Sequence, residues 1–222
     1  YGVYTPGIFP GTVPGPANPA GIPFSGLTAV NGTNVAALSG VSSFADAGYA
    51  TQYDPIGRQS FSIIAMFRGN PCDGRTNAIV GHSDSSWQIL LNPFGQLQCQ
   101  IGTNQGSAII TTNVYNDGNW HQLVEVYTPN SNPNLSGTNA LYVDGVLDTA
   151  VNTVNTNEFG SGSTMDVLIG SDPQYTNNPA GVGQQFAGQV CEVALFTNAL
   201  TVTNVRALWD EAGEVVPTYI VT

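Results

Sequence analysis

Between residues 28 and 196, short apolar runs alternate with turn-forming clusters. Within the runs the apolar positions recur every second residue, the period of a strand with one covered face. In 60–69, SFSIIAMFRG, the residues Phe61, Ile63, Ala65 and Phe67 share one face. NVAALSG (34–40) and SSFADAGY (42–49) read as edge strands. TNAIVGH (76–82) follows, then SSWQILL and QLQCQIG, joined at a hairpin by Asn92, Pro93 and Gly95. SAIITTNVY (107–115) leads through Asn116-Asp117-Gly118 into NWHQLVEVY (119–127). NALYV and VLDTAV flank Asp144-Gly145, the clearest hairpin signal, because both positions of such a turn take positive φ. TMDVLIGS (164–171) and QVCEVALF (189–196) complete the series.

The pattern changes in two places. TVTNVRALWDEAG (201–213) is the one helical stretch: Thr201 or Thr203 caps it, Val205, Leu208 and Trp209 share a face, and Gly213 stops it. Residues 1–27 are rich in Pro and Gly yet contain Tyr4, Ile8, Phe9, Ile22 and Phe24, which a solvated linker does not need. They read as an extended lead-in packed on a single domain, 28–222. About a dozen short strands with no repeat period predict an all-β fold. The expected architecture is a two-sheet antiparallel jelly-roll sandwich with one short C-terminal helix.

Composition narrows the ligand. Four Lys and Arg stand against fifteen Asp and Glu, a net charge of −11, and all four basic residues are Arg. That balance speaks against nucleic acid, which needs a basic surface, and against anionic membranes and polyanionic glycans. Neutral ligands and cations remain. No apolar run reaches the ~20 residues of a membrane span, so membrane insertion is not expected. The first residue is Tyr rather than Met, which reads as a piece of a longer chain or a processed form tethered to other domains. Abundant Asn and absent Lys suggest an extracellular setting. Cys72, Cys99 and Cys191 leave at least one thiol unpaired. Either Cys72 and Cys99 form a bridge or all three are free, and Cys191 reads as a small core residue.

Several motifs line up in order: FADAGYATQYDPIGRQSFSIIAMF, DGNWHQLVEVY, ALYVDGVL, VLIGSDP and FAGQVCEVALFTNALT. From about residue 28 to 215 this series resembles the laminin-G-like domains of the concanavalin A-like lectin and glucanase superfamily. It is especially similar to the bacterial forms found beside secreted polysaccharide-active enzymes. The resemblance implies two antiparallel sheets, one concave and one convex, on a fold that hosts enzymes, lectins and adhesion modules alike. It also implies that Trp120 and His121 are structural, Trp120 covering a sheet edge and His121 satisfied in the core. Two departures stand out. Ile64 replaces an acid common in the family, and Cys191-Glu192 stands where Asp-Glu is common.

Glucanases of the superfamily place Glu-x-Asp-x-x-Glu on one strand, because two carboxylates must flank one glycosidic bond. Here Glu125 and Glu192 are each alone in their strands, and Asp210, Glu211 and Glu214 fall on the helix. The Arg, His and Tyr set of a lyase and a GxSxG elbow are absent. Binding is the expected role. Sugars take aromatic rings on their C–H faces and amides on their hydroxyls. Trp87 with Gln88, and Gln98 and Gln100 on the paired strand, form the expected site, with Tyr53 and Tyr175 at loops and Phe94 and Tyr115 as further loop aromatics. Trp87 also shares a face with Ile89 and Leu91, and so reads equally as core. Asp46 and Glu192 are the candidate ligands of a structural Ca2+, which wants six to eight oxygens, and Asp84 and Asp172 are loop acids. The sequence predicts a non-catalytic module for a neutral polysaccharide of β-glucan or hemicellulose type. The alternatives are a protein-adhesion module and, third, a glycan-active hydrolase.

Overall fold

The fold is taken from a computed structural model that describes residues 3–4, 9–11, 35–40, 44–50, 53, 59–70, 74–82, 86–101, 108–130, 137–152, 165–172 and 185–214. Fourteen strands and one helix are described: β1 Val3–Tyr4, β2 Phe9–Gly11, β3 Val35–Ser39, β4 Ala45–Asp46, β5 Phe61–Gly69, β6 Asn77–Gly81, β7 Trp87–Leu91, β8 Leu97–Ile101, β9 Ile109–Ile110, β10 His121–Thr128, β11 Thr138–Val143, β12 Val146–Asn152, β13 Leu168–Ile169, β14 Ala187–Phe196 and α1 Val202–Glu214. They form two seven-stranded sheets. The first has the order β1-β4-β13-β6-β7-β8-β9 and the second β12-β11-β10-β5-β14-β3-β2. Neighbouring strands in both sheets are antiparallel. The chain is the jelly-roll sandwich that its alternating pattern predicts. Two pieces of the lead-in, β1 and β2, pair into the sheets on β4 and β3. None of the described helices is long and apolar enough to cross a membrane.

The central strand β5 explains the core. Phe61, Ile63, Ala65 and Phe67 point between the sheets and join Trp87, Ile89, Leu91, Leu97, Cys99, Ile101, Leu123, Tyr127, Leu141 and Phe186. Its other face is buried too. Ile64 packs with Val124, Val126 and Val205, and Met66 packs with Trp120 and Trp209. Helix α1 therefore lies on the outside of the second sheet, where it covers Ile64. Thr201 caps the helix: its Oγ1 accepts from Asn204 N at 3.2 Å, and Asn204 Oδ1 accepts from Thr201 N at 3.2 Å. This reciprocal bonding satisfies two backbone donors at the helix start. The helix runs to Glu214, one residue beyond the expected stop at Gly213.

The Asp144-Gly145 turn has φ of 52° and 75°, as its sequence requires. In β14 the register slips between Cys191 and Ala194, and Glu192 sits there with φ of 52°. This is a bulge, with an extra residue bending the strand.

Candidate functional site

Strands β7 and β8 pair from Trp87↔Ile101 to Leu91↔Leu97. Alternation turns Trp87, Ile89 and Leu91 inward, and Gln88 and Leu90 outward. Trp87 is fully buried and its indole N–H donates to the Tyr53 carbonyl at 2.7 Å. Its ring also meets His82, centroids 5.8 Å apart. The stacking platform expected at Trp87 is thus corrected: a ring with no exposed face cannot receive a sugar. Tyr53 is partly buried against the same core. Tyr175 lies outside the described residues.

The glutamines do share the outer face, but it is largely sealed. Gln88 Nε2 donates to Gln100 Oε1 at 3.0 Å, and the two residues are only 4% and 2% exposed. Gln98, opposite Leu90 and Ile110, is half-buried.

Asp46 and Glu192 are not brought together as calcium ligands. Asp46 lies in β4 of the first sheet and Glu192 in β14 of the second. Asp46 Oδ1 accepts from Gly48 N at 2.8 Å. The carboxylate that feels Asp46 is Asp166, whose pKa is raised by burial and by that charge. Glu192 is 6% exposed, and burial alone pushes its carboxyl up to about 7. Among the described residues no three His, Cys, Asp or Glu are grouped to hold a metal. Asp172 is buried, and Asp84 lies outside the described residues. Cys99 is a free, buried thiol rather than half of a bridge to Cys72. Cys72 itself lies outside the described residues.

The stretch 117–127 divides into two polar sites on one strand face. At the open end, His121 Nδ1 lies 2.8 Å from Asp144 Oδ2, and Nε2 lies 3.1 Å from Asp117 Oδ1. Both ring nitrogens face carboxylates, so only the imidazolium donates to both. Burial opposes that charge, but the bonds to Asp144 and Asp117 outweigh it and raise the His121 pKa. Asp117 is held down to about 2, chiefly by hydrogen bonds from Asn119 and then by His121. Asp144 Oδ1 also accepts from Gln122 N at 2.9 Å. His121 thus clips the loop before β10 to the β11–β12 turn. In mid-strand, Glu125 is fully buried and its Oε1 accepts from Asn139 Nδ2 at 2.9 Å.

The segment 111–117 crosses this end of the sandwich as a strap. Asp148 of β12 fastens it, accepting from Thr112 N at 2.8 Å, Asn113 Nδ2 at 3.0 Å and the Tyr115 hydroxyl at 2.7 Å. Burial works against the Asp148 charge, yet these bonds hold its pKa below the usual carboxylate range. The Tyr115 ring stands edge-on to His121 with centroids 5.1 Å apart.

Against the strap rests the β7–β8 turn. Asn92 Oδ1 accepts from Phe94 N at 2.9 Å and Gln96 N at 3.0 Å, and Gly95 N donates to Asn92 O at 2.9 Å. Tyr115 N donates to Gly95 O at 2.7 Å. Gly95 has φ of 80°, and a side chain there would collide with Asn116 and Val114. The turn is therefore rigid. At its tip Phe94 is 77% exposed, and the exposed Val114 and the Asn116 side chain lie against its neighbour Gly95. Sequence reasoning counted Phe94 only among further loop aromatics. The signal that singles it out is its place in a turn, where strand alternation cannot bury it.

With this geometry in hand, known proteins place the chain. A laminin-G-type family, described as the concanavalin A-like lectin/glucanases superfamily, matches residues 30–206. The chain belongs to that family. No curated protein sequence matches it. Among solved structures, a candidate carbohydrate-binding protein of Bacteroides ovatus superposes with a TM-score of 0.53 at 18% identity, covering 68% of this chain and 40% of that one. The ligand-binding domain of botulinum neurotoxin serotype D, in complex with N-acetylneuraminic acid, gives 0.64 at 10% identity, covering 95% and 45%. A Trypanosoma rangeli sialidase gives 0.56 at 16% identity, covering 79% and 27%. At these identities the likeness is one of fold. The laminin-G-like chain spans less than half the length of each of the three.

Proposed function

We propose that this laminin-G-like domain is a non-catalytic carbohydrate-binding module for a neutral polysaccharide of β-glucan or hemicellulose type, secreted and tethered within a larger protein. The observation that carries the reading is Phe94, an exposed ring on a turn locked by Asn92 and braced by the strap. A fixed ring stacks on a sugar without first being ordered, and such ordering otherwise weakens binding. Asn116, whose side chain lies against Gly95 of the same turn, supplies a neighbouring amide for a hydroxyl, while the amides of Gln96 and Asn113 are engaged with Thr111 O and Asp148. The net charge of −11 favours a neutral glycan over an anionic one. Binding rather than hydrolysis is supported by the strand acids. Glu125 is sealed in the core and Glu192 lies in another strand, so the two do not flank an accessible bond. Likeness to sugar-binding structures is in keeping with the reading.

Affinity electrophoresis in gels containing β-glucan, xyloglucan, xylan or mannan tests it, with and without a chelator. Retardation by one neutral glycan, abolished in Phe94→Ala, is the expected result. Loss on chelation would add calcium to the account. Mobility unchanged in every gel would sink the sugar reading and leave protein adhesion as the role.

A further inference from the structure

Glu125 is the acid that sugar binding leaves unused. It sits in the middle of β10, in register with Ile63 on β5 and Leu141 on β11. Ile63 is in turn opposite Leu195 of β14. From the other sheet Cys99 of β8 faces it: burial raises the Cys99 thiol most, and the Glu125 charge raises it further. On its own face of β10 the titratable groups are Tyr127, two residues along, and His121, four residues back at the open end. No described arginine approaches: Arg68 is exposed and donates to Gly118 O, and Arg75 and Arg206 are also exposed.

Its one polar partner is Asn139, also fully buried, whose Nδ2 donates to Glu125 Oε1 at 2.9 Å. Two atoms of this pair are left over. Glu125 Oε2 and Asn139 Oδ1 are both buried without a hydrogen-bond partner. Both are acceptors when the carboxyl is ionised, so an anion would leave two orphaned oxygens and an uncompensated charge.

We propose that Glu125 keeps its proton in the folded protein and donates it from Oε2 to Asn139 Oδ1, so that acid and amide exchange two hydrogen bonds across β10 and β11. One proton satisfies both leftover oxygens and removes the buried charge. Burial, the largest influence on this carboxyl, pushes its pKa from 4.5 up to about 8 despite the Asn139 bond, which pulls it down. The sandwich therefore carries a proton that the unfolded chain has already released. Where the unfolded state holds fewer protons, stability falls as pH rises. This contribution is complete below about 4.5 and lost as pH climbs through about 8. The inference does not depend on the sugar reading.

Two measurements test it. In protein carrying 13C-labelled Glu side chains, the Glu125 carboxyl resonance, assigned by its absence in Glu125→Gln, should titrate near 8 rather than near 4.5. Urea unfolding from about pH 5 to about pH 9 should show wild-type stability declining with pH, and a shallower decline in Glu125→Gln, which retains the shape without the ionisation. A Glu125 resonance already that of a carboxylate at pH 6, or equal slopes in the two proteins, would overturn the proposal. Should Glu125→Gln fail to fold, the carboxyl titration of the wild type decides alone, because Glu125 is then the resonance that moves apart from those of Glu158, Glu192, Glu211 and Glu214 when Glu192→Gln supplies the second assignment.

Discussion

Trp87 and Phe94 stand seven residues apart on one hairpin and meet opposite fates. Trp87 begins β7, where alternation fixes its side, and it is entirely covered with its indole N–H bonded to Tyr53 O. Phe94 tips the turn that follows and is 77% exposed. Residue type alone favours tryptophan as a sugar platform. Position reverses the choice: a strand residue level with Ile89 and Leu91 is packed by its neighbours, whereas a turn residue is shown to solvent. An aromatic ring serves binding only where the backbone is fixed by other means. Here Asn92 and the strap do that fixing.

The contrast can be broken at either ring. Trp87→Ala should cost about 3–5 kcal/mol of stability, as large-to-small changes in packed cores do. Chemical denaturation would measure it, and the fraction that folds should keep its glycan affinity. Phe94→Ala should do the reverse. Glycan affinity should fall about tenfold or more, about 1.4 kcal/mol, while stability stays within about 0.5 kcal/mol of wild type. Calorimetric titration and thermal melts would check the two halves.

The support beneath Phe94 should come next. Asn92→Ala removes the acceptor of two backbone donors and should cost about 1 kcal/mol of stability, with affinity falling several-fold as the turn loosens. The His121 clip should give the rim a pH dependence that Trp87 lacks. Its folded pKa is raised, so its contribution is complete below the unfolded value and lost as pH rises through the folded one. Glycan affinity should weaken as pH rises through that folded value, and Asp144→Asn should move the loss to lower pH. Affinity measured across pH in both proteins would show it. The smallest effect should come from Gln98→Ala, less than about twofold in affinity, because Gln98 lies on the sealed sheet face rather than at the rim.

Much of the fold was legible beforehand because period-2 patterning and turn chemistry are local. The strand at 60–69, which runs Phe61–Gly69, and the Asp144-Gly145 hairpin lie where the pattern puts them, and of the two candidate caps it is Thr201 that bonds Asn204. The site was less legible because it depends on contacts distant in sequence. Nothing local tells that Asp148 holds a strap 36 residues upstream, or that His121 reaches 23 residues onward to Asp144. Alternation left Trp87 open between core and platform, and only the packed partner sheet decides. Gln88 and Gln100 do lie on the expected face, but their burial and mutual bond follow from pairing. Asp46 and Glu192 lie in different sheets because the early strands divide between the two: β4 enters the first, while β2 and β3 join β14 in the second.

The most direct test of the central claim is a backbone amide NMR titration of the domain with a soluble oligosaccharide of whichever glycan retards it. If Phe94 and its rim bind the sugar, shifts should concentrate at residues 92–96 and 112–119. If they fall instead on the outer face around Gln88, Gln98 and Gln100, with the turn unmoved, the account of the site is wrong.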